Sequence, residues 1–318
     1  VDPNTTSVPT IPQTTAACVC FTPHIAICHA AVTQLLDRGT TARDPRAILA
    51  VQTEADSLVA AGTWDLSTVT EKCDLVREHA GGETIHLGEL MPICSIKFFE
   101  QSEDKHKHKG RVCFRGDNVR DQEGALAVHQ ELSSSPTSIA AASSNIAYGM
   151  IAGNKSTTAD AIRAFIQSTL RSKHKTWVRI PRQLWPKSWG NKYKQPMCLL
   201  QRALYGHPEA GGHWERQLEC IIHDLGGEPV DNHPSSFWFP QHSLLLTVYV
   251  DDLLLSGPSE HHEKFWAELG KQVDIEPPEP LERFLGRHHE LTVTGKGSSC
   301  VYNMEDYTRS AVCLYLQH

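Results

Sequence analysis

Two aspartates stand side by side in an otherwise apolar run, Leu244-Leu245-Leu246-Thr247-Val248-Tyr249-Val250-Asp251-Asp252-Leu253-Leu254-Leu255. Both flanks are apolar and partly β-branched, so the run predicts a hairpin with Asp251 and Asp252 at its turn. Adjacent carboxylates repel, and a low-dielectric setting raises the cost. A divalent cation removes that cost, and hard oxygen ligands suit Mg²⁺. The competing reading is a solvated acidic turn with no role. Asp160, between Ala159 and Ala161, is the last acidic residue before Glu209. At the end of a neighbouring strand it would bring a third carboxylate to the hairpin. Three carboxylates around two ions about 3.5–4 Å apart can clamp the attacking and leaving oxygens of phosphoryl transfer. Taken alone, Asp160 reads equally well as a helix cap.

The elements that must position these acids are short and mixed. Ala50, Glu54, Leu58 and Gly62 recur every four residues, and Val51, Ala55 and Leu58 form one apolar helical face that Gly62 would end. Apolar runs at Ile85–Leu90 and Ile93–Phe99 precede a basic stretch, Lys105 to Arg115, with a strand over Arg111–Phe114. Ser133 to Gly149 predicts a helix started by Ser134, Ser135 or Thr137. Thr158–Phe165 reads as a strand ending in a helical turn, and Trp177–Ile180 as a strand stopped by Pro181. Tyr205–Ile222 reads as a loop and helix, Phe237–Phe239 and Leu244–Val250 as strands, and His261–Val273 as a helix ended by Pro277, Pro278 and Pro280. Strands and helices alternate without doubly wound spacing, so the fold class is α+β.

Several stretches, in order, resemble the reverse transcriptase of copia-type LTR retrotransposons. Tyr249-Val250-Asp251-Asp252 is similar to that family's Tyr-x-Asp-Asp motif. Ala50-x3-Glu54-x3-Leu58-x3-Gly62-Thr63-Trp64 resembles the start of its polymerase domain. Lys109-Gly110-Arg111-Val112 with Gly116 resembles its fingers strand, and Asp160-Ala161-Ile162-Arg163-Ala164-Phe165 its Asp-Val-x-x-Ala-Phe motif. Leu204-Tyr205-Gly206, Ala210 and Trp214 resemble its Leu-Tyr-Gly segment, and Phe284-Leu285-Gly286 and Glu305-x-Tyr307 its later stretches. The resemblance covers about residues 46 to 315.

It implies a right-hand polymerase with fingers, palm and the start of a thumb or connection, and an antiparallel palm sheet bearing the Tyr-Val-Asp-Asp hairpin. Residues 1–45 would be a poorly structured leader, 46–158 the fingers-like part, 159–290 the palm and start of the thumb, and 291–318 a truncated C-terminal extension. Asp160, Asp251 and Asp252 would be the catalytic, metal-binding carboxylates, holding two Mg²⁺, with Mn²⁺ as a substitute. Lys109 and Arg111 would hold the triphosphate and Phe165 would exclude a ribose 2′-hydroxyl. Gly206 would let backbone approach nucleotide or template, with Tyr205 and Tyr249 beside the substrates. An RNA template, a DNA primer and dNTPs are the implied partners. Without the resemblance, Phe165 reads as a core residue, Lys109 and Arg111 as a solvated basic loop, and Gly206 as a turn glycine.

Two segments depart from the family's pattern. After Gly206 the chain reads His207-Pro208-Glu209-Ala210-Gly211-Gly212, which lacks two basic residues and places Glu209 where the family has Gln. Phe284-Leu285-Gly286 continues into Arg287-His288-His289 rather than apolar residues. These departures make a catalytically inactive relic of the same fold an alternative. Another alternative is a non-enzymatic interaction module on Cys18, Cys20, His24, Cys28 and His29, whose Cys-x-Cys spacing is tighter than zinc fingers use. The pairs His106/His108, His261/His262 and His288/His289 read as exposed.

Composition sets outer bounds. The chain carries 30 Lys and Arg against 37 Asp and Glu, a net charge of −7, which by itself argues against a polynucleotide partner. The distribution reverses that. No acidic residue occurs from Ala161 through Pro208, while ten Lys or Arg do, and outside that segment 20 basic residues face 37 acidic ones. Trp177, Trp185, Trp189 and Tyr193 interleave the basic residues as stacking platforms or as core, with Trp177 expected in the core. No run long enough to cross a bilayer and no secretory signal is present, and ten scattered cysteines suit a reducing compartment. An intracellular setting, a cytoplasmic particle or the nucleus, is the expectation, for a piece truncated at both ends.

Overall fold

The computed structural model describes residues 33–99, 102–127, 134–294 and 297–316. Helices packed on three sheets make an α+β architecture. The first sheet holds β1 (Gln34–Leu35), β2 (Trp64–Glu71), β3 (Ile85–Lys97), β4 (Lys107–Phe114), β6 (Lys175–Arg179) and β7 (Pro196–Leu200). Its order is β1-β3-β6-β7-β2, with β4 also on β3. β3 is long because its halves have different partners: Ile85–Glu89 runs parallel to β6, and Leu90–Lys97 antiparallel to β4. The two apolar runs expected here are therefore one strand, continuous through Pro92.

Helix α2 (Pro45–Ala60) begins where Asp44 accepts the Arg46 amide at 2.8 Å, with Pro45 in the first turn, where a missing N–H costs nothing. It buries Ala47, Val51, Ala55 and Leu58, one helical stripe, in a core shared with Val112 and Phe114 of β4. Two shorter helices, α1 (Arg38–Thr41) and α3 (Lys72–Glu78), flank the same sheet in sequence.

The second sheet is antiparallel throughout: β12 (Glu279–Pro280), β5 (Asn154–Asp160), β11 (Asp252–Pro258), β10 (Leu244–Tyr249), β9 (Ser236–Phe239) and β8 (Glu228–Pro229), in that spatial order. Both of its faces are covered. Ala142 and Ile146 of α4 (Ile139–Gly149) pack on Leu254. Trp214, Leu218 and Ile222 of α6 (Ala210–Asp224), with Phe265, Trp266 and Leu269 of α7 (His262–Leu269), pack with Leu253 and Leu255. A strand covered on both sides needs no alternation, which is why Leu253-Leu254-Leu255 is unbroken. The third sheet, β13 (Arg283–Phe284), β14 (Arg287–Thr294) and β15 (Gly297–Asn303), precedes α8 (Glu305–Leu316). Among the described residues no helix is long and apolar enough to cross a membrane.

Several expectations are corrected. Structure reaches back before residue 46, since Gln34 and Leu35 pair with Ile96 and Ser95, and Asp37 caps α1. Residues 1–32, with Cys18, Cys20, His24, Cys28 and His29, lie outside the described residues. α4 starts at Ile139, capped by the Ser138 hydroxyl on the Ala141 amide, and not by Ser134, Ser135 or Thr137. The Thr137 hydroxyl instead lies 3.3 Å from that of Ser236. His262 and His289 are buried, not exposed. Trp266 Nε1 donates to the Thr157 hydroxyl, which in turn donates to His262 Nδ1 at 2.8 Å, while His262 Nε2–H donates to the Gly257 carbonyl. Burial holds the His262 imidazole neutral, its pKa pushed down to about 4.

Candidate active site

The register of the second sheet brings the acids together. Asp252 at the start of β11 pairs directly with Asp160 at the end of β5 and with Tyr249 of β10. Directly opposed residues point to the same face, so the Asp160 and Asp252 carboxylates are neighbours. Asp251 occupies the two-residue turn between β10 and β11, after Val250 at φ 59°. That φ is unusual for a β-branched residue and strains the turn. Two bonds hold it: the Val250 carbonyl accepts from Trp214 Nε1 at 2.7 Å, and the Asp251 carbonyl from the Ala161 amide at 2.7 Å.

Burial and neighbouring carboxylates raise two of the acids, Asp252 and Asp160. Desolvation, followed by the charges of Asp160 and Asp251, pushes Asp252 up to about 6, with Arg283 opposing. Desolvation and then Glu276, Asp251 and Glu279 raise Asp160. Asp160 stands between two hollows. One, of about 1050 Å³, is lined by Glu54, Lys109, Arg111, Arg163, Tyr205 and Asp251 among others, and the other, of about 680 Å³, by Asp252, Arg283 and Gly286 among others.

The cationic wall of the larger cleft comes from the first sheet. Lys109 and Arg111 alternate on β4 and so share a face. Gly110 between them permits the close approach of α2, because a Cβ there would lie 2.3 Å from the Ala50 carbonyl. That approach sets Glu54 in the same cleft, 3.6 Å from Arg163, whose other guanidinium nitrogen bonds the Ser57 hydroxyl. Burial, then the neighbouring charges of Arg111 and Lys97, lowers the Lys109 pKa. The Arg111 guanidinium lies 5.6 Å from the Tyr205 ring centroid, and Tyr205 packs on Phe165 at 4.6 Å. Phe165 is half-buried and also lines a narrow apolar pocket with Trp214 and Val250.

Gly206, at φ 90°, makes its close approach to this chain itself: a Cβ would meet the Phe114 carbonyl at 2.1 Å, beside a bond from the Phe114 amide to the Tyr205 carbonyl. Tyr249 is 40% exposed and borders neither hollow. Two of the residues that depart from the family's pattern, His207 and Glu209, point inward. His207 packs on Phe114 at 4.9 Å, and buried Glu209 accepts from the Ser172 hydroxyl at 2.5 Å and lies 3.4 Å from His213 Nε2. Glu54, Arg163 and Arg283 belong to the site, yet spacing alone assigns them no role. Glu54 breaks an apolar helical repeat, and that is the one local signal among them.

Among the described residues no three His, Cys, Asp or Glu side chains form a ready-made metal cage. Mg²⁺ seldom uses one, because it is held by one or two carboxylates together with substrate phosphates and water. Asp160 and Asp251, facing one cleft with their repulsion uncompensated, fit that donor set.

Clustered carboxylates across a cleft from fixed cations are the equipment of an enzyme that acts on phosphate esters. The family model for reverse transcriptase (RNA-dependent DNA polymerase) matches residues 101–305, which include the three aspartates, Lys109, Arg111 and Tyr205. The match spans more than half of the chain, which therefore belongs to the reverse transcriptase family. No curated protein matches it.

Proposed function

We propose that the chain is the RNA-directed DNA polymerase domain of a copia-type retrotransposon polyprotein, joining deoxynucleotides to a primer 3′-hydroxyl on an RNA template. The observation that carries this reading is the cross-strand pairing of Asp160 with Asp252, with Asp251 turned into a cleft whose far wall is Lys109 and Arg111. The second sheet corresponds to a palm and the β3–β4 ribbon to fingers.

Lys109 and Arg111 neutralise and orient the triphosphate, and a planar guanidinium can grip two phosphate oxygens at once. Tyr205 fixes Arg111 from beneath. Phe165, locked behind Tyr205, sets the depth available to the sugar and so disfavours a 2′-hydroxyl. The Glu54–Arg163 pair anchors α2 to the segment after Asp160 and keeps the walls in register. Tyr249, exposed and paired with Asp252, would meet the primer from outside the two hollows. Asp160, Asp251 and Asp252 would hold two Mg²⁺, which when bound supply Lewis-acid activation of the 3′-hydroxyl and stabilisation of the departing pyrophosphate.

Extension of a DNA primer on an RNA template by the purified chain, with Mg²⁺ or Mn²⁺, tests this. Metal-dependent incorporation that Asp251→Asn abolishes is the expected result. No incorporation, or incorporation indifferent to Asp251→Asn, rejects the reading.

A further inference from the structure

Arg163 follows Asp160 closely in sequence and lines the same cleft, in company with Asp160, Asp251 and Glu276. A flexible guanidinium beside so many carboxylates is expected to fold onto them and neutralise them. It does not. The charges that act most on Asp160 are those of Glu276, Asp251 and Glu279, all of one sign. Arg163 is turned the other way, onto α2. There one guanidinium nitrogen lies 3.6 Å from the Glu54 carboxylate, and another donates to the Ser57 hydroxyl.

The backbone supports that direction. Arg163 stands at φ 53° and ψ 46°, a left-handed conformation that residues other than glycine seldom adopt. Such a residue persists where its surroundings over-determine it. Here the Ala161 amide donates to the Asp251 carbonyl at 2.7 Å, and the Ile162 amide to the Asp274 carbonyl at 2.8 Å. Gln167 Nε2 donates to the Ile162 carbonyl at 2.7 Å, and the Ile166 amide closes the turn on the Arg163 carbonyl at 3.1 Å. A pinned, strained turn below and two acceptors on α2 above therefore serve one outcome, a guanidinium kept away from the aspartates. Glu54 is also the residue that breaks the apolar repeat of α2, so its place on the helix answers to this pairing and not to the core.

We propose that Glu54 is a positioning residue: with Ser57 it holds the Arg163 guanidinium off Asp160 and Asp251, so that these carboxylates stay open to divalent cations. This role rests on the reading of those aspartates as metal ligands, and adds control of metal affinity to the anchoring of α2.

Electron paramagnetic resonance of Mn²⁺ titrated with the full chain, without primer or nucleotide, reads metal binding directly. Glu54→Gln should weaken Mn²⁺ binding about fivefold, the scale of one part-exposed ion pair. Ser57→Ala removes no charge, yet should weaken it in the same direction by about twofold. Arg163→Gln alone should change it less than about twofold, and Glu54→Gln with Arg163→Gln should return it to within about twofold of the parent. Charge alone predicts otherwise: Arg163→Gln would tighten binding, Ser57→Ala would do nothing, and the double variant would show the sum of the single effects. Loss of the α2 anchor alone would leave the double variant as weak as Glu54→Gln. The Mg²⁺ concentration for half-maximal primer extension should follow the same order across these variants. Either readout overturns the proposal if Glu54→Gln matches the parent, or if the double variant is not rescued. A parent chain that binds no Mn²⁺ and extends primers without a divalent cation rejects the metal-ligand reading itself, and this role with it.

Discussion

At the end of the second sheet, carboxylates from two distant stretches of chain meet, Asp160 beside Asp252 and facing one cleft with Asp251, and two of them have raised pKa values. In a cleft of the first sheet, five cations, Arg38, Arg115, Arg179, Arg182 and Lys194, are set against Glu89 and the Asp117 held by Arg115, and most come from a single acid-free segment. The first arrangement opposes folding: the backbone register forces like charges together, and two hydrogen bonds hold the turn that carries them. The second spreads its charges over exposed side chains with room to separate, so screening keeps its cost small. Like charges packed against a strained turn are a positioned device. Like charges spread over a surface need no such support.

The contrast breaks most visibly in activity. Asp160→Asn should lower nucleotide incorporation by at least about 10²-fold, since it removes a charge the transition state needs; primer extension measures this. Loss of less than tenfold would mean that Asp160 only caps the strand end.

Gly206→Ala should destabilise the fold by about 2–4 kcal/mol, because a Cβ would collide with the Phe114 carbonyl at a left-handed φ. Urea unfolding reads the loss, and an unchanged midpoint would separate the Tyr205 turn from the β4 wall that it is argued to support.

Asp252→Asn should move stability in the other direction. The folded carboxyl, at about 6, lies above its ordinary value of 3.8, so folded Asp252 binds its proton more tightly than unfolded Asp252 does. Its cost is therefore absent below about pH 4, grows as pH rises towards 6, and is complete above it. In magnesium-free buffer the variant should melt like the parent at low pH and be more stable by up to about 2 kcal/mol at neutral pH. A pH-independent difference would mean that the repulsion is not what the residue contributes.

The smallest expected effect is at Val250. Val250→Gly relieves the left-handed φ of 59° but loses the side chain's packing in the apolar pocket, so stability should shift by less than about 1 kcal/mol. A loss above about 3 kcal/mol would make the Val250 packing, not the backbone bonds, the support of the Asp251 turn.

Local pattern carries far in this chain. The Asp251-Asp252 hairpin, the helical stripe Val51-Ala55-Leu58 and the acid-free cationic segment can all be read from residue order, because strand alternation, helical period and charge are local properties. Non-local partners decide the rest. His262 looks like one half of an exposed His pair, yet Thr157 and Gly257 bury it. Ser138 caps α4 although Ser134, Ser135 and Thr137 precede it, and Thr137 is engaged by Ser236 across the fold. The departures at His207 and Glu209 suggest altered substrate contacts, whereas the side chains turn inward to Phe114, Ser172 and His213.

The sequence by itself determined which groups are present: the carboxylates, the cations and the rings. Only the tertiary structure decided which of them meet. Asp160 opposes Asp252 through strand register, and Glu54 joins Lys109 and Arg111 in the same cleft because α2 can close on Gly110. Register and close packing are set by contacts between residues far apart in the chain, and no local window contains both partners of such a contact.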